Sequence, residues 1–372
     1  YVLHVIGAAL YKSAAFKNVG VEGVILGSDS RKMSKNLGNY PDPKGLLQKY
    51  GGDALRLYLM GSSVMNGEDL IISEEHYRNQ VKGMMLVLWN IYNFLVSNAI
   101  TDKFVIDKSR SAVSENVLDK WVLARLNGTV RVVTSSLEGY DTVRAINYIN
   151  QFISDLSLWY VRRSRDRVGL NATSPEDREN FYETLLEVLI ELSKLIAPIA
   201  PFISEEIYKN LSGKESVHLE DWPKSSKDID EKINSEMDLT RKIVEMGHSE
   251  RKKEGIKVRQ PLGKIKYNLP IKLSEDLEKL ILAELNIKEI DYKKGNMKVL
   301  LDFDITPDLK KEGESRDIVR SIQEARKSLG TALDEKIDVV LPSWPKEFED
   351  YIKKRALVDV LSKGDKFEIK RK

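Results

Sequence analysis

The sequence predicts a mainly α-helical protein with a small α/β piece at each end. Three observations carry that fold class. Apolar residues keep helical spacing almost without a break from about 44 to 255; a β-branched run and a polar, glycine-flanked loop come before them; short strand candidates alternating with helices come after. A chain of 372 residues holds two or three domains at roughly 100–200 residues each. The changes of pattern put the boundaries at 1–43, 44–261 and 262–372.

Tyr1 to Leu10 (YVLHVIGAAL) reads as a buried apolar helix. It has neither an initiator Met nor a basic lead-in, so a signal peptide describes it poorly, and Tyr1 reads as a boundary within a longer chain. Val19 to Leu26 reads as a strand, and a Gly/Ser/Asp turn then leads into Arg31–Tyr40. Helix, strand and glycine-flanked loop in that order suit the last piece of a nucleotide-binding α/β sheet.

Helices follow. Leu46, Leu47, Tyr50, Ala54, Leu57 and Tyr58 mark the first, and Val81, Met84, Met85, Leu88, Trp89, Tyr92 and Leu95 the second. Leu118, Trp121, Val122, Leu126 and Val130 mark a third, and Ile146, Ile149, Ile153, Leu156 and Tyr160 a fourth. A fifth begins at Ser174-Pro175-Glu176, a capping residue with proline in the first turn, and runs toward Pro198. Trp89, Trp121 and Trp159 lie on apolar stripes and read as core. Short polar connections make this a helix bundle. After a loop-like stretch at 212–233, a further helix runs to about Glu254. Strand candidates Lys264–Asn268, Val299–Phe303, Ile337–Leu341 and Phe367–Ile369 then alternate with helices such as Asp308–Leu329, with no evident internal repeat.

The 59 Lys+Arg and 57 Asp+Glu leave a formal net charge of only +2, so nucleic-acid binding has to be argued from local clusters. The absence of cysteine excludes disulfides and a thiolate zinc site, and with four scattered His no metal site is expected. No stretch reaches the roughly 18 apolar residues of a membrane span. A cytoplasmic protein without a membrane partner is the expectation.

The sharpest chemical feature is Lys32-Met33-Ser34-Lys35 (KMSK) within RKMSKNLGNYPDP. Attack of a carboxylate on the α-phosphate of ATP builds charge on the departing pyrophosphate, and mobile ammonium groups that meet it in the transition state lower the barrier. Two lysines on a glycine-flanked loop can close over a triphosphate as a lid.

This loop resembles the signature loop of class I aminoacyl-tRNA synthetases, and the resemblance runs over most of the chain. Asn39-Tyr40-Pro41-Asp42-Pro43, Tyr50-Gly51-Gly52-Asp53-Ala54-Leu55-Arg56, Gly67-Glu68-Asp69-Leu70 and Leu88-Trp89-Asn90 resemble the isoleucine branch. So do Trp159 to Arg165, Ala197-Pro198 through Pro201-Phe202, Glu205 to Tyr208, and Val258-Arg259-Gln260-Pro261-Leu262. His4-Val5-Ile6-Gly7 has a superficial likeness to the family's His-Ile-Gly-His element, but Ala8 follows, and His4 reads as a helix residue.

The resemblance implies a fragment of an isoleucine–tRNA ligase, with a nucleotide-fold remnant at 1–43, a stem-contact and anticodon-binding bundle at 44–261 and a small C-terminal α/β domain. It implies ATP, with Mg2+, as cofactor, Lys32 and Lys35 as catalytic lysines, and Met33 and Ser34 as shapers of the ATP loop. It further implies isoleucine as substrate and the anticodon stem-loop of tRNA-Ile as partner. The piece is expected to be a monomer and inactive alone. Arg162, Arg163, Arg165 and Arg167 at one helix end, and Arg251, Lys252, Lys253, Lys257 and Arg259 at another, are the candidate tRNA contacts. Asp155 and Asp166 are the acids near the first cluster in sequence, and Arg316, Arg320 and Arg326 on the late helix read as facing water. A valine-specific relative and a non-catalytic tRNA-binding module remain the alternatives.

Overall fold

The computed structural model describes residues 1–371 apart from 106–113, 170–171, 173, 226–229 and 333. The chain is mostly helical and forms two compact units. One comprises Tyr1–Lys108, Arg125–Ser164 and Phe181–Ile229; the other comprises Ser109–Ala124, Arg165–Asn180 and Asp230–Lys372.

In the first unit the apolar start folds as helix α1 (Val2–Tyr11), but only Gly7 in it is buried. Val2, Leu3 and Leu10 stay 66%, 71% and 69% exposed, so the expected helix forms and the expected burial does not. The expected strand shrinks to β1 (Ile25–Leu26), which pairs in parallel with β2 (Leu70–Ile71). Gly23 explains the early break. Its backbone lies so close to Glu68 that a Cβ would meet the Glu68 carbonyl oxygen at 1.8 Å, and its N–H donates to Val64 O at 2.8 Å.

Helix α2 (Pro43–Met60) starts where Pro43 follows Asp42, whose carboxylate accepts from the N–H groups of Lys44 and Gly45. It bends at Gly51, where φ is +80°. Helix α3 (Glu74–Gln80) passes through a π-turn at Val81–Met85 into α4 (Leu86–Thr101). This continuous run, Glu74–Thr101, matches a membrane span in length and mean hydropathy, where the sequence led us to expect none. Its Leu88, Ile91 and Leu95 are buried.

Helices α5 (Val117–Glu138), α6 (Thr142–Asp155), α7 (Pro175–Ile196) and α8 (Pro201–Ser212) complete the bundle. The core of the first unit is aliphatic and aromatic: Val130, Val133, Ile146, Ile149, Phe152, Leu185, Val188 and Leu192 are each at most 3% exposed. Trp121, on the segment of α5 in the second unit, is core as expected, but Trp89 is 40% exposed and rests against Tyr92, so it is not.

The C-terminal part of the second unit holds a repeat. Helix α9 (Glu231–Lys253) leads into β3 (Leu262–Leu269), α10 (Glu275–Leu285), β4 (Ile287–Lys294) and β5 (Lys298–Leu301). Helix α11 (Pro307–Ser328) leads in the same order into β6 (Ile337–Leu341), α12 (Glu349–Ala356), β7 (Val358–Lys363) and β8 (Glu368–Arg371). In each set the first strand is central, parallel to the second and antiparallel to the third.

The hydrogen bonds repeat too. Gly255 and Gly330, both at positive φ, donate to Lys252 O and Lys327 O, each at 3.2 Å. Gly295 and Gly364 donate to Leu269 O and Leu341 O at 3.0 and 3.1 Å. Asn286 and Leu357 close α10 and α12 in the left-handed region. With the topology as guide, the sequence echo is plain: Arg241, Ile243, Val244, Arg251, Lys252, Gly255, Lys264, Ile265, Leu269, Pro270, Lys294 and Gly295 recur as Arg316, Ile318, Val319, Arg326, Lys327, Gly330, Lys336, Ile337, Leu341, Pro342, Lys363 and Gly364. The expectation of no internal repeat is overturned. Unequal links between the shared positions hid it.

Candidate functional site

The KMSK loop is built on β1. Gly27 N–H donates to Arg31 O at 2.8 Å, and Lys32 forms an isolated antiparallel bridge with Leu26, so the backbone turns back on the strand before the motif begins. Asn39 fastens the far side. Its side-chain oxygen accepts from Ser34 N–H at 3.0 Å, while its amide donates to Asp29 Oδ1 at 2.9 Å and to Lys32 O at 3.3 Å. Its own carbonyl accepts from Ser28 N–H at 3.2 Å, and Gly27 has to be glycine because a Cβ would fall 2.2 Å from that carbonyl.

Inside this frame Met33 and Ser34 are half-buried, and Lys32 and Lys35 are exposed. Lys35 opens a turn closed by Gly38 at φ +56°, with Leu37 and Gly38 donating back to Ser34 O. Arg31 is held by Asp29 at 2.8 Å, whereas neither lysine has an ion pair among the described residues. Two exposed ammonium groups without carboxylate partners, on a fastened loop, fit a polyphosphate. Among the described residues no cluster of His, Cys, Asp or Glu could hold a metal ion.

Asn39 also sets the charge of Asp29. Its amide, helped by the Arg31 backbone N–H and guanidinium, holds the Asp29 carboxyl below the ordinary carboxylate value. Because the folded value is lowered, the contact is complete at neutral pH and is lost only as pH falls through that lowered value. Replacing Asn39 by alanine should raise the Asp29 midpoint toward 3.8, measured by NMR titration of its side-chain carboxyl. An unmoved midpoint would show that the staple contributes nothing.

Two further motifs meet in the first unit. Buried Asp53 accepts from Phe202 N–H at 3.2 Å and Ile203 N–H at 2.7 Å, capping the start of α8. Arg56 donates to Ile199 O at 2.9 Å and Pro198 O at 2.7 Å, in the turn that joins α7 to α8. One turn of α2 thus satisfies both halves of the junction between these helices. Neither Asn39 nor this latch was assigned a role from sequence. An amide or a carboxylate with its partners in the backbone looks like any other polar residue.

The predicted basic clusters come apart. Arg162 is exposed, with Nε on Leu158 O at 2.7 Å, Arg163 is half-buried, and Arg165 is exposed. Arg167 is internal in the second unit. Its guanidinium donates to Asp119 Oδ1 at 2.6 Å and Asp177 Oδ1 at 2.8 Å, its side chain is only 9% exposed, and it has no face for a phosphate. The acids nearest in sequence are engaged elsewhere, Asp155 by Arg125 at 3.0 Å and Asp166 by Arg355 at 2.9 Å.

Of the second cluster, Lys252, Lys253 and Lys257 are exposed, although Lys253 pairs with Glu250 at 2.5 Å, and Arg259 pairs with Asp317. Arg251 is 1% exposed and donates to the carbonyls of Lys257, Gln260, Leu285 and Asn286, so it holds the fold and not a ligand. Burial pushes its pKa down to about 10, still charged at neutral pH. Arg316 and Arg320 pair with Glu312 and Glu324, and Arg326, expected to face water, is buried on the carbonyls of Glu335 and Ala332.

With this geometry in hand, comparison places the chain. Residues 1–71 match the family profile for tRNA synthetases class I (I, L, M and V), and residues 119–266 match the anticodon-binding domain of tRNA ligase. The chain belongs to the class I aminoacyl-tRNA synthetases. Its relatives there include isoleucine–tRNA ligases. That of Bdellovibrio bacteriovorus is 40% identical over 306 residues, covering 78% of this chain and 28% of the relative. Those of Chlamydia caviae and Dehalococcoides mccartyi are 36% and 34% identical, covering 92% and 98% of this chain and 33% and 39% of theirs. The chain thus spans about a third of the length of these relatives. A solved ternary complex of the Agrobacterium radiobacter K84 LeuRS with tRNA and LeuAMS matches at TM-score 0.44 and 18% identity, over 81% of this chain and 35% of that one.

Proposed function

We propose that this chain is the part of an ATP-dependent isoleucine–tRNA ligase that supplies the KMSK loop and the tRNA-reading bundle. In this reading residues 1–43 end the nucleotide fold, 44–261 approach the anticodon stem and loop of tRNA-Ile, and 262–372 form the C-terminal α/β part. The observation that carries it is the pair of unpaired lysines, Lys32 and Lys35, on a loop fastened by Asn39 in a chain whose relatives are isoleucine–tRNA ligases. ATP with Mg2+ supplies the activated phosphate and its metal in the whole enzyme. Lys32 and Lys35 hold the charge that leaves with pyrophosphate, and Met33 and Ser34 pack the loop beneath them. Tight fastening of the loop base leaves the lysine side chains as the moving parts. Among the predicted tRNA contacts, Arg162, Arg165, Lys252 and Lys257 keep the exposure that phosphate binding needs.

The test is fluorescence anisotropy of the 372-residue chain with unmodified isoleucine and valine tRNA transcripts at two salt concentrations. The expected result is tighter binding of the isoleucine transcript, lost when its anticodon is replaced. Arg162→Ala should lower affinity and make the salt slope shallower by about 0.7–0.9, one phosphate contact. Equal, weak, salt-sensitive binding of both transcripts would overturn the bundle as an anticodon reader.

A further inference from the structure

The two copies of the C-terminal repeat share a backbone plan but differ in what their sheets show to solvent. In β3, Ile265, Tyr267 and Leu269 are buried, while Lys264, Lys266 and Asn268 lie on the opposite face. Register brings Glu289, Asp291 and Lys293 of β4, and Leu300 and Lys298 of β5, to that same face. At one end the charges cancel, because Lys264 bonds Asp291 at 2.9 Å and also pairs with Glu289. At the other end they do not. Lys293 and Lys298 flank Asn268 from the two neighbouring strands, Lys266 lies one pair along, and all three are exposed with no ion pair among the described residues.

The second sheet supplies an internal comparison. Where the first has Lys266, Lys293 and Lys298, the equivalent register positions hold Asp338, Ser362 and Glu368, and Val340 replaces Asn268. A βαββ unit therefore does not need lysines there to fold. The first copy carries three lysines and the second two carboxylates, at positions that are buried in neither sheet.

We propose that this lysine end of the β3–β4–β5 sheet is a docking face for the phosphate backbone of the tRNA. The proposal rests on the ligase reading above. Charge complementarity names the partner. Lys293 and Lys298 sit two strand spacings apart, about 10 Å, so flexible point charges there can reach successive phosphates of one strand. Lysine ammoniums on a sheet face, with Asn268 and Leu300 between them and no aromatic side chain among their register partners, position a backbone and do not read bases. The face adds affinity and salt sensitivity without adding preference between transcripts.

The experiment compares three forms of the full chain in the same anisotropy titration: wild type, Lys266→Gln with Lys293→Gln and Lys298→Gln, and a control with Lys336→Gln, Lys363→Gln and Lys370→Gln in the second copy. The first triple variant should bind the isoleucine transcript roughly 10- to 100-fold more weakly at low salt, with a salt slope shallower by about 2–3. The ratio between isoleucine and valine transcripts should not move, and the control should stay within about twofold of wild type. Lys298→Glu guards against a folding artefact, because it installs the residue that the second copy already holds at Glu368; it should weaken binding with an unchanged melting temperature. Equal loss in both triple variants would mean diffuse attraction and would overturn the docking face, as would no loss in the first. If wild type shows no transcript preference but the first triple variant still flattens the slope, the anticodon reading fails while the face stands. No binding by wild type sinks both.

Discussion

Replacing Arg251 by methionine is expected to remove about 3–5 kcal/mol of folding free energy, the largest stability loss of any single change proposed for this chain. The side chain is 1% exposed, and its guanidinium donates to Leu285 O at 2.6 Å and Gln260 O at 3.0 Å, with Asn286 O and Lys257 O beyond. Those carbonyls belong to the chain entering β3 and to the end of α10 with the residue that caps it, so one cation ties two separate backbone segments together. Methionine keeps most of the apolar stem but none of the donors, and each buried carbonyl left without a partner costs about 1–3 kcal/mol. Arg326, the repeat-equivalent residue, is 8% exposed and among the described residues serves two carbonyls, Glu335 O and Ala332 O, so Arg326→Met should cost less, about 1–3 kcal/mol. Urea denaturation followed by circular dichroism checks both, with the midpoint moving and the slope unchanged. A loss under about 1 kcal/mol for Arg251→Met would show that water replaces the guanidinium at little cost.

Arg251 also shows where legibility in the sequence ends. Helical periodicity found the bundle because a buried stripe needs only local spacing. The KMSK tetrapeptide with its trailing Asn-Tyr-Pro-Asp-Pro was visible because chemistry and turn residues sit within one short string. Whether an arginine faces solvent is settled by groups far off in sequence. Arg251 lies between Glu250 and Lys252 and looks like any member of a basic run, yet its partners are 6 to 35 residues away. Arg167 looks paired with neighbouring Asp166, but its acids are Asp119 and Asp177, while Asp166 serves Arg355, 189 residues on.

Strands β4 and β7 were missed for a related reason. Ile-Lys-Glu-Ile-Asp-Tyr-Lys-Lys from Ile287 puts charge on every outward position of an edge strand, and Val358–Lys363 breaks its apolar run with Asp359, Ser362 and Lys363. Edge strands need carry only one apolar side and are often charged on the other, so neither shows the apolar run that marks a central strand. The repeat is carried by strand order and backbone hydrogen bonds, of which the sequence keeps only scattered echoes.

The loop leads to the second large effect. On the proposed ligase reading, Lys35→Ala in the whole enzyme should lower the rate of isoleucine-dependent ATP–pyrophosphate exchange by about 10²–10³, with a smaller change in KM for ATP. The asymmetry with Lys32 follows from the backbone. Lys32 is tied by its bridge to Leu26 and by the Asn39 amide on its carbonyl, whereas the bonds of the turn that ends at Gly38 run from Asn36, Leu37 and Gly38 back to Ser34 and pass over Lys35. A group that must reach charge appearing only in the transition state is better placed on the freer segment, so its loss falls on kcat. Asn39→Ala leaves both ammoniums present but loosens their base, and should cost about 10-fold, with Asn39→Asp no better because it loses the amide donors to Asp29 and Lys32 O. If Lys35→Ala stays within a few-fold of wild type while Lys32→Ala falls steeply, the roles are reversed, and the bridged lysine, already in place, is the one that meets the departing phosphates.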